Sequence, residues 1–337
     1  MNIGLIGAGR IGRIHGEILT KHVTGAKITV VAEVYANGET IAWANGLGIG
    51  KVVKDYHEVL ADPAVDAVFI CSSTDTHTQI IMEAARAGKQ IFCEKPISYD
   101  IDKIVEALRV VKECGVKLQI GFNRRFDHNF GKIRAMVQDG KVGDVQVVKI
   151  TSRDPAPPPI PYIKVSGGIF LDMMIHDFDM ARFLSGSEVA EVYAQGAVLV
   201  DPAIGEAGDV DTAIVSLKFA NGALGVIDNS RQAVYGHDQR VEVFGSKGCL
   251  AARNDTDTSV DYYTPDCMVS DNPIRPFRVR YELAYATEVQ AFVDAVNEGK
   301  APAVDGWDGL QPILIGLAAT QSLKEGKPVT VRRLDRI

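Results

Sequence analysis

The sequence is poor in cysteine, in clustered basic residues and in long apolar runs, and each shortage excludes a class of protein. Its five cysteines lack CxxC or histidine-rich spacing, so we expect buried reduced thiols in a cytoplasmic protein, without disulfides or a metal site. A formal net charge of −7 with no basic block argues against nucleic-acid and anionic-membrane partners. No apolar run approaches the ~20 residues that span a bilayer, and we expect no cleaved leader.

The first 33 residues have the order strand, glycine turn, helix, strand and acid. The parts are Asn2–Ile6, Gly7–Gly12, the helically spaced Ile11, Ile14, Ile18 and Leu19, then Ile28–Ala32 and Glu33. This order is the dinucleotide-binding fingerprint in its expected context. It predicts a pyrophosphate bound where backbone N–H groups at the helix N-terminus face it.

Each polar or glycine position of this fingerprint has a predicted role. Gly7 makes the tight turn, Gly9 lets the backbone approach the pyrophosphate, and Gly12 allows close packing of helix on strand. Glu33 is placed to accept hydrogen bonds from the ribose hydroxyls. Its carboxylate would repel a 2′-phosphate, and Tyr35–Gly38 offers no arginine to receive one. We therefore expect NAD rather than NADP.

Apolar strands continue to alternate with helical patterns up to residue 121, which predicts a parallel sheet covered on both faces. The strands are 65–71, 90–93 and 116–121, and the helices are 78–88 and 101–114. Ligands bind beyond the carboxyl ends of such strands. We predict cofactor contacts at the turn and at these ends, from Gly7, Ala8, Gly9, Arg10, Ile11, Gly12, Glu33, Cys71, Ser72, Ser73, His77, Glu94 and Lys95.

Two of these positions have more specific predicted roles. Lys95 ends a strand beside Pro96, so its ammonium can point into a nicotinamide site, and the Lys95–Pro96 bond is a candidate for the cis form. His77 either contacts the cofactor or caps the next helix.

The pattern changes near residue 145 to consecutive strands. These strands are 145–150, 213–219, 223–228 and 240–244, with a hairpin turn at Asn221-Gly222. They predict an antiparallel sheet with one face free for helices or another subunit. The proline-rich stretch 154–161 either crosses the mouth of a cleft or forms a plain surface loop.

Residues 167–184 are dense in apolar side chains and predict one buried helix. Asp172, His176 and Asp179 follow spacings of four and seven residues, which places them on one face of that helix. Burying such groups is costly unless they are paired or functional. They are therefore candidate catalytic residues.

Two further helices are predicted near the end of the chain. One has an apolar stripe over 289–296 and ends at Gly299. The other is capped by Asp308, runs through Leu323 and ends at Gly326. We expect both to be packing elements, with the second returning to the nucleotide domain.

These motifs resemble a known family over essentially the whole chain. Gly7-x-Gly9-x-x-Gly12, Glu94-Lys95-Pro96, Gly121–Phe126 and Asp172-x-x-x-His176-Asp177 look like the glucose–fructose oxidoreductase/inositol dehydrogenase (Gfo/Idh/MocA) family. Ser152–Pro155 and Met173–Asp179 resemble its bacterial inositol 2-dehydrogenases. The resemblance implies an α/β fold with a Rossmann NAD-binding domain, residues 1–121. It also implies a substrate-binding α+β domain, residues 122–337, whose open-faced antiparallel sheet mediates homodimers or homotetramers.

The same resemblance implies a catalytic group of Lys95, Asp172 and His176. The family's ribose acid is usually aspartate, where this chain has Glu33. We expect NAD-dependent oxidation of a cyclic polyol, myo-inositol to 2-keto-myo-inositol, with His176 as general base. Arg125, Asp154, Asp179 and Tyr235 either contact further substrate hydroxyls or are structural polar groups.

Two alternatives stay open. The first is a scyllo-inositol or sugar dehydrogenase of the same family, and the second is a catalytically silent NAD-binding sensor, since a fold alone does not prove activity.

Overall fold

The structure, a computed structural model, describes residues 1–336 and divides them into two compact units. The first contains Met1–Phe126 and Glu282–Gln311, together with the residues from Leu334 onward. The second contains Asp127–Tyr281 and Pro312–Arg333. The sequence suggests one boundary after residue 121, whereas the chain passes between the units again near residues 282, 312 and 334.

The first unit is built on a six-stranded sheet in the order β3-β2-β1-β4-β5-β6, and all neighbouring strands are parallel. The strands are β1 Asn2–Ile6, β2 Lys27–Ala32, β3 Val52–Val53, β4 Ala67–Ile70, β5 Gln90–Glu94 and β6 Leu118–Gly121. The order reverses between β1 and β4, and ligands of such sheets bind at this switch point. The predicted Rossmann architecture is confirmed.

Five helices connect these strands, and a sixth comes from the later segment of the unit. They are α1 Arg10–Lys21, α2 Gly38–Gly46, α3 His57–Leu60, α4 Thr74–Arg86, α5 Ile101–Cys114 and α12 Glu282–Asn297. Helix α5 shows why the sequence specifies its ends: the Asp100 carboxylate accepts from the N–H groups of Asp102 and Lys103, and Gly115 stops it at φ 66°. Helix α4 begins four residues before its predicted start, because Ser73 is already at its N-cap.

The core of the first unit is an aromatic and aliphatic layer between sheet and helix. Phe292 of α12 packs edge-on against Phe69 and Phe92, which stack on each other with ring centroids 4.5 Å apart. Val289 and Val293 of the predicted stripe are also fully buried. The stripe is therefore a packing element, as expected.

The second unit is built on a seven-stranded sheet in the order β12-β11-β7-β10-β9-β8-β15. Its strands are β7 Val145–Arg153, β8 Val189–Ala197, β9 Thr212–Phe219, β10 Leu224–Ser230, β11 Asp238–Gly245, β12 Gly248–Ala252 and β15 Val329–Thr330. All neighbours are antiparallel except β7 and β10, which run parallel, so the sheet is mixed and mostly antiparallel. A separate small hairpin joins β13 Tyr262–Tyr263 to β14 Met268–Val269.

One face of this sheet is open. Along β9 the residues alternate between buried and exposed, with Val215 and Leu217 buried and Ile214 52% exposed. Leu224 of β10 and Phe244 of β11 are also exposed. The open-faced sheet inferred from the family resemblance is confirmed.

The helices of the second unit depart from the sequence-based expectation at two places. They are α6 His128–Gln138, α7 Ile160–Ile163, α8 Gly168–Asp172, α9 Ile175–Ser185, α10 Pro202–Glu206, α11 Phe277–Arg280 and α13 Gly306–Glu325, whose first six residues belong to the first unit. The single helix predicted over 167–184 is wrong, because it is split into α8 and α9. Asp308 is not the cap of α13 either: the Asp305 carboxylate accepts from the Asp308 N–H at 3.0 Å, one residue before the helix begins.

The cysteines are free, and the expectation that all are buried is correct for only two of them. Burial raises the pKa of the Cys71 and Cys93 thiols well above the ordinary value. Cys114, Cys249 and Cys267 are exposed, at the end of α5, on the sheet-edge strand β12 and in the small hairpin.

Within residues 1–336, no helix is both long and apolar enough to cross a membrane.

We expect Gly12→Ala to destabilise the first unit by about 3 kcal/mol, because a Cβ there would overlap the Gly7 carbonyl oxygen. Gly46→Ala is the matched control. It lies in helix α2, where an added Cβ would meet no atom within 4 Å, so it should be neutral or stabilising by up to about 1 kcal/mol. Urea unfolding of both variants measures the difference, and equal midpoints would contradict the packing role of Gly12.

Candidate active site

The glycine turn lies between the end of β1 and the first turn of α1. Gly7 has φ 93° and donates its N–H to the Ala32 carbonyl oxygen at 2.8 Å, which fixes the turn against β2. Gly9 is the N-cap of α1, and a Cβ built on it meets no atom within 4 Å. The open space at a helix N-terminus fits a pyrophosphate, because unpaired N–H groups there favour an anion.

Glu33 is held beside this turn by backbone donors. Its Oε2 accepts from the Ala8 N–H at 2.7 Å, and its Oε1 accepts from the Tyr35 N–H at 3.0 Å. Each carboxylate oxygen has a second lone pair for a further donor. The arrangement suits ribose hydroxyls, which is the role that the sequence predicts for this residue.

The segment after β4 lies against the same turn. A Cβ at Gly7 would come within 2.7 Å of the Cys71 carbonyl carbon, so the two segments are in close backbone contact. The Ser72 hydroxyl lies 2.7 Å from the Thr76 hydroxyl, and Ser73 begins α4 in an extended conformation. The structure therefore brings the predicted cofactor residues of β1, β2 and β4 to one edge of the sheet.

His77 is buried within α4 and bridges two loops. Its Nδ1 lies 2.8 Å from the Pro96 carbonyl oxygen, and its Nε2 lies 3.0 Å from the Ser72 carbonyl oxygen. Burial lowers the pKa of His77, and this effect outweighs the two carbonyl contacts, which raise it. With both ring nitrogens facing backbone oxygens, the ring joins the ends of β4 and β5, and its direct contact with a cofactor stays a prediction.

The Glu94-Lys95-Pro96 segment follows β5. The Lys95–Pro96 peptide bond is cis, the form for which the sequence makes it a candidate. The buried Glu94 carboxylate accepts from the Lys95 backbone N–H at 3.1 Å. Lys95 itself is half-buried.

A residue that sequence reasoning missed completes this segment. His15 of α1 is fully buried, and its Nε2 lies 2.5 Å from Oε1 of Glu94. A histidine within the apolar stripe of α1 was the available signal, because a buried polar side chain needs a partner. His15 therefore connects the glycine-turn helix to the Glu94-Lys95-Pro96 segment.

In the second unit, the polar residues of the predicted helix lie on either side of a helix break. The Met174 N–H bonds to the Ile169 carbonyl oxygen, five residues back, whereas the His176 N–H reaches Met173, three residues back. The regular four-residue ladder is therefore interrupted from Met174 to His176, and Met173 and Met174 lie between the two helices. Asp172 consequently ends α8, while His176 is the second residue of α9.

The Asp172 carboxylate has two described partners. Its Oδ1 accepts from the Tyr162 hydroxyl at 2.7 Å, and its Oδ2 faces the Arg231 guanidinium at 3.5 Å. Neither Tyr162 nor Arg231 was among the residues that the sequence indicated. His176 is half-buried at the start of α9.

Two acids of α9 are buried and paired. Asp177 is fully buried and accepts from the Asn229 amide at 2.8 Å, and the same amide donates to the Ser152 carbonyl oxygen. Asp179 is also buried and lies 3.7 Å from the Arg182 guanidinium. A substrate contact by Asp179 stays a prediction beside this structural pairing.

The remaining predicted contacts lie in different environments. Arg125, in the first unit, binds the Asp308 carboxylate at 2.9 Å. In the second unit, Asp154 lies 3.2 Å from the buried His237. The Tyr235 hydroxyl donates to Asp238 at 2.7 Å; burial, followed by this carboxylate, raises the pKa of Tyr235.

One group among the described residues has metal-like spacing, formed by Asp127, His128 and Asp255. The Arg280 guanidinium lies 2.6 Å from Asp127 and 3.1 Å from Asp255. This internal cation already balances the two carboxylates, so the group is an ion-pair cluster.

The fold and the turn define an NAD-binding oxidoreductase. Residues 1–122 match the model of the oxidoreductase family with an NAD-binding Rossmann fold. Residues 130–251 match the model of the GFO/IDH/MocA C-terminal domain. The chain belongs to the Gfo/Idh/MocA oxidoreductase family, as its motifs predict.

Characterised and uncharacterised relatives are both similar to the chain over almost its full length. It is 49% identical over 334 residues to the uncharacterised oxidoreductase YrbE of Bacillus subtilis, covering 99% of this chain and 97% of that one. It is also 49% identical to the myo-inositol 2-dehydrogenase of Thermotoga maritima, covering 99% of each. A Lactobacillus casei scyllo-inositol dehydrogenase, solved with NAD(H) and scyllo-inositol, matches at 30% identity with a TM-score of 0.91, covering 98% of this chain and 99% of that one.

We expect His77 to make the stability of the protein depend on pH. Because burial lowers its pKa in the folded state, the unfolded chain binds a proton more readily. The contribution of His77 is therefore complete above the unfolded value of about 6.5 and is lost as the pH falls through the folded value. Urea unfolding of wild type and His77→Gln between neutral pH and pH ~5 measures this, and the stability difference between them should shrink in acid. A stability difference that stays constant with pH would contradict the lowered pKa of His77.

Proposed function

We propose that this protein oxidises myo-inositol to 2-keto-myo-inositol with NAD. The observation that carries the proposal is the presence of Lys95, Asp172 and His176 in a chain that matches a myo-inositol 2-dehydrogenase at 49% identity over 99% of its length. The glycine turn and the Glu33 carboxylate supply the cofactor-binding features that such a reaction needs. No metal is required, because nicotinamide chemistry supplies the oxidant.

The cofactor would be held by the glycine turn and the strand ends described above. Gly9 leaves space for the pyrophosphate, and Glu33 is oriented by the Ala8 and Tyr35 N–H groups to receive the ribose hydroxyls. When bound, NAD supplies a hydride acceptor. A carboxylate at Glu33 disfavours the 2′-phosphate of NADP, because two anions would meet there.

The chemical step removes a hydride and a proton from one ring carbinol and leaves a ketone. His176 takes the hydroxyl proton, since an imidazole with a pKa near 6.5 in water suits a general base at neutral pH. The Lys95 ammonium stabilises the negative charge that develops on the oxygen. Asp172 orients the substrate or the imidazole, and its carboxylate contacts the Tyr162 hydroxyl and the Arg231 guanidinium.

A second candidate substrate is scyllo-inositol, because a 30% identical relative of the same fold is a scyllo-inositol dehydrogenase. The two inositols differ only in the configuration of one hydroxyl.

We also propose that the open face of the second sheet, with Ile214, Leu224 and Phe244 exposed, is covered in a homodimer or homotetramer. Light scattering of the native protein tests that assembly, and a monomer at micromolar concentration would contradict it.

We expect NADH to form when NAD and myo-inositol are supplied, with slower turnover of scyllo-inositol and glucose. Initial rates followed by the ultraviolet absorbance of NADH measure this preference. Faster turnover of another substrate would overturn the choice of myo-inositol, and no turnover of any polyol would overturn the proposed activity.

His176→Gln should lower kcat by ~10²–10⁴-fold, as is typical for loss of a general base, while NAD binding stays unchanged. His128→Gln is the control, since this exposed histidine of the same unit pairs only weakly with Asp255, at 3.6 Å. Similar rates for the two variants would contradict the role of His176.

A further inference from the structure

Arg231 is a large buried side chain with no part in the chemical step described above. It follows the last residue of β10, and its side chain is only 1% exposed. Its backbone N–H donates to the Asp211 carbonyl oxygen at 2.8 Å, so its position is fixed by the end of the sheet. A buried guanidinium is costly unless carboxylates pair with it.

Two carboxylates supply that pairing. Asp172 is the last residue of α8, and Asp209 contacts the start of that helix. One guanidinium nitrogen faces Oδ2 of Asp172 at 3.5 Å, and the other faces Oδ2 of Asp209 at 3.2 Å. Asp209 in turn accepts from the Ile169 N–H at 3.0 Å, at the start of α8. Arg231 and Asp209 therefore hold the two ends of the same five-residue helix.

The Asp209 carboxylate lies close to the backbone of Gly168 at the start of α8. A Cβ at Gly168 would lie 2.9 Å from Oδ1 of Asp209, and the residue has φ 77°. Both features favour glycine at the first position of α8. The carboxylate of Asp209 is thus packed directly on the helix start.

The break between α8 and α9 explains why Asp172 needs contacts from outside its own helix. A single turn of helix is not stable alone, since helix formation needs a costly nucleus. The hydrogen-bond ladder is also interrupted from Met174 to His176, so regular helix geometry does not fix Asp172 relative to His176. The orientation of Asp172 must come from side-chain contacts.

We propose that Arg231, fixed by the sheet and bridged to Asp209, is a positioning residue that orients the Asp172 carboxylate for the substrate. It faces Oδ2 of Asp172, while Oδ1 accepts from Tyr162, a residue that is 41% exposed. This inference rests on the proposed function, because Arg231 would act through the Asp172 carboxylate of that mechanism.

The test compares Arg231→Met and Arg231→Lys with a matched control, Arg280→Met. Arg280 is equally buried in the second unit, between Asp127 and Asp255, and neither acid is a predicted site residue. Both methionine variants remove a buried cation from between two carboxylates. A purely structural role would therefore affect stability and turnover alike in the two variants.

We expect Arg231→Met to lower kcat for myo-inositol by about 10–100-fold with an unchanged KM for NAD, because small misplacements of a catalytic group have effects of this size. Arg231→Lys should recover part of kcat, since lysine keeps the charge but lacks the planar fork. Arg280→Met should keep kcat within about threefold of wild type. A folded Arg231→Met with wild-type kcat, or with no greater loss than Arg280→Met, would overturn the proposal.

If Arg231→Met does not fold, Arg231→Lys decides, and a wild-type kcat for it would overturn the proposal. Crystal structures give a readout that does not depend on activity. The Asp172 carboxylate should be turned or disordered in the Arg231 variant and unchanged in the Arg280 variant, and an unmoved Asp172 in both refutes the positioning role. Absence of turnover in the wild type would instead count against the proposed function alone.

Discussion

The carboxylate of Glu94 is buried at the end of β5, and the arrangement of the first unit depends on its being bound there. An unpaired carboxylate in such a place is strongly disfavoured. His15 provides the contact from α1, and the backbone N–H of Lys95 provides the second. The helix that begins at the glycine turn is thereby connected to the segment that carries Lys95. His77 adds a second connection, from α4 to Pro96. The helix that follows the glycine turn and the segment that carries Lys95 are thus joined by buried polar contacts.

The second unit fixes its polar residues by different means. Its helix breaks between Asp172 and His176, so the spacing of these residues along the chain does not set their geometry. Side chains at or just beyond the end of a strand contact the acids instead, since Arg231 faces Asp172 and Asn229 binds Asp177. Both come from the end of β10 and the residue after it. A rigid sheet is a better support for such groups than a short helix, because its strands are held on both sides.

The parts of the site that follow from short local sequence patterns could be predicted. The contacts between residues far apart in the sequence could not. The glycine turn, Glu33 and the strand ends follow from short patterns of strand, turn and helix, and the open-faced sheet follows from the family resemblance. The break after Asp172 could not be foreseen, because the apolar pattern of residues 167–184 continues through it. His15 with Glu94 and Arg231 with Asp172 are separated by 79 and 59 residues, and no local pattern connects them. Tertiary pairing of this kind becomes visible only when the chain is folded.

This chain of the Gfo/Idh/MocA oxidoreductase family combines an NAD-binding unit with a second unit that contains the proposed catalytic residues Asp172 and His176. The central claim of the proposed mechanism is direct transfer of a hydride from a ring carbon of myo-inositol to the cofactor. Myo-inositol that carries deuterium at C2 tests this claim, with mass spectrometry of the reduced cofactor. The mechanism predicts one deuterium in the reduced cofactor for each ketone formed. Reduced cofactor without deuterium, or deuterium released to water, would contradict it.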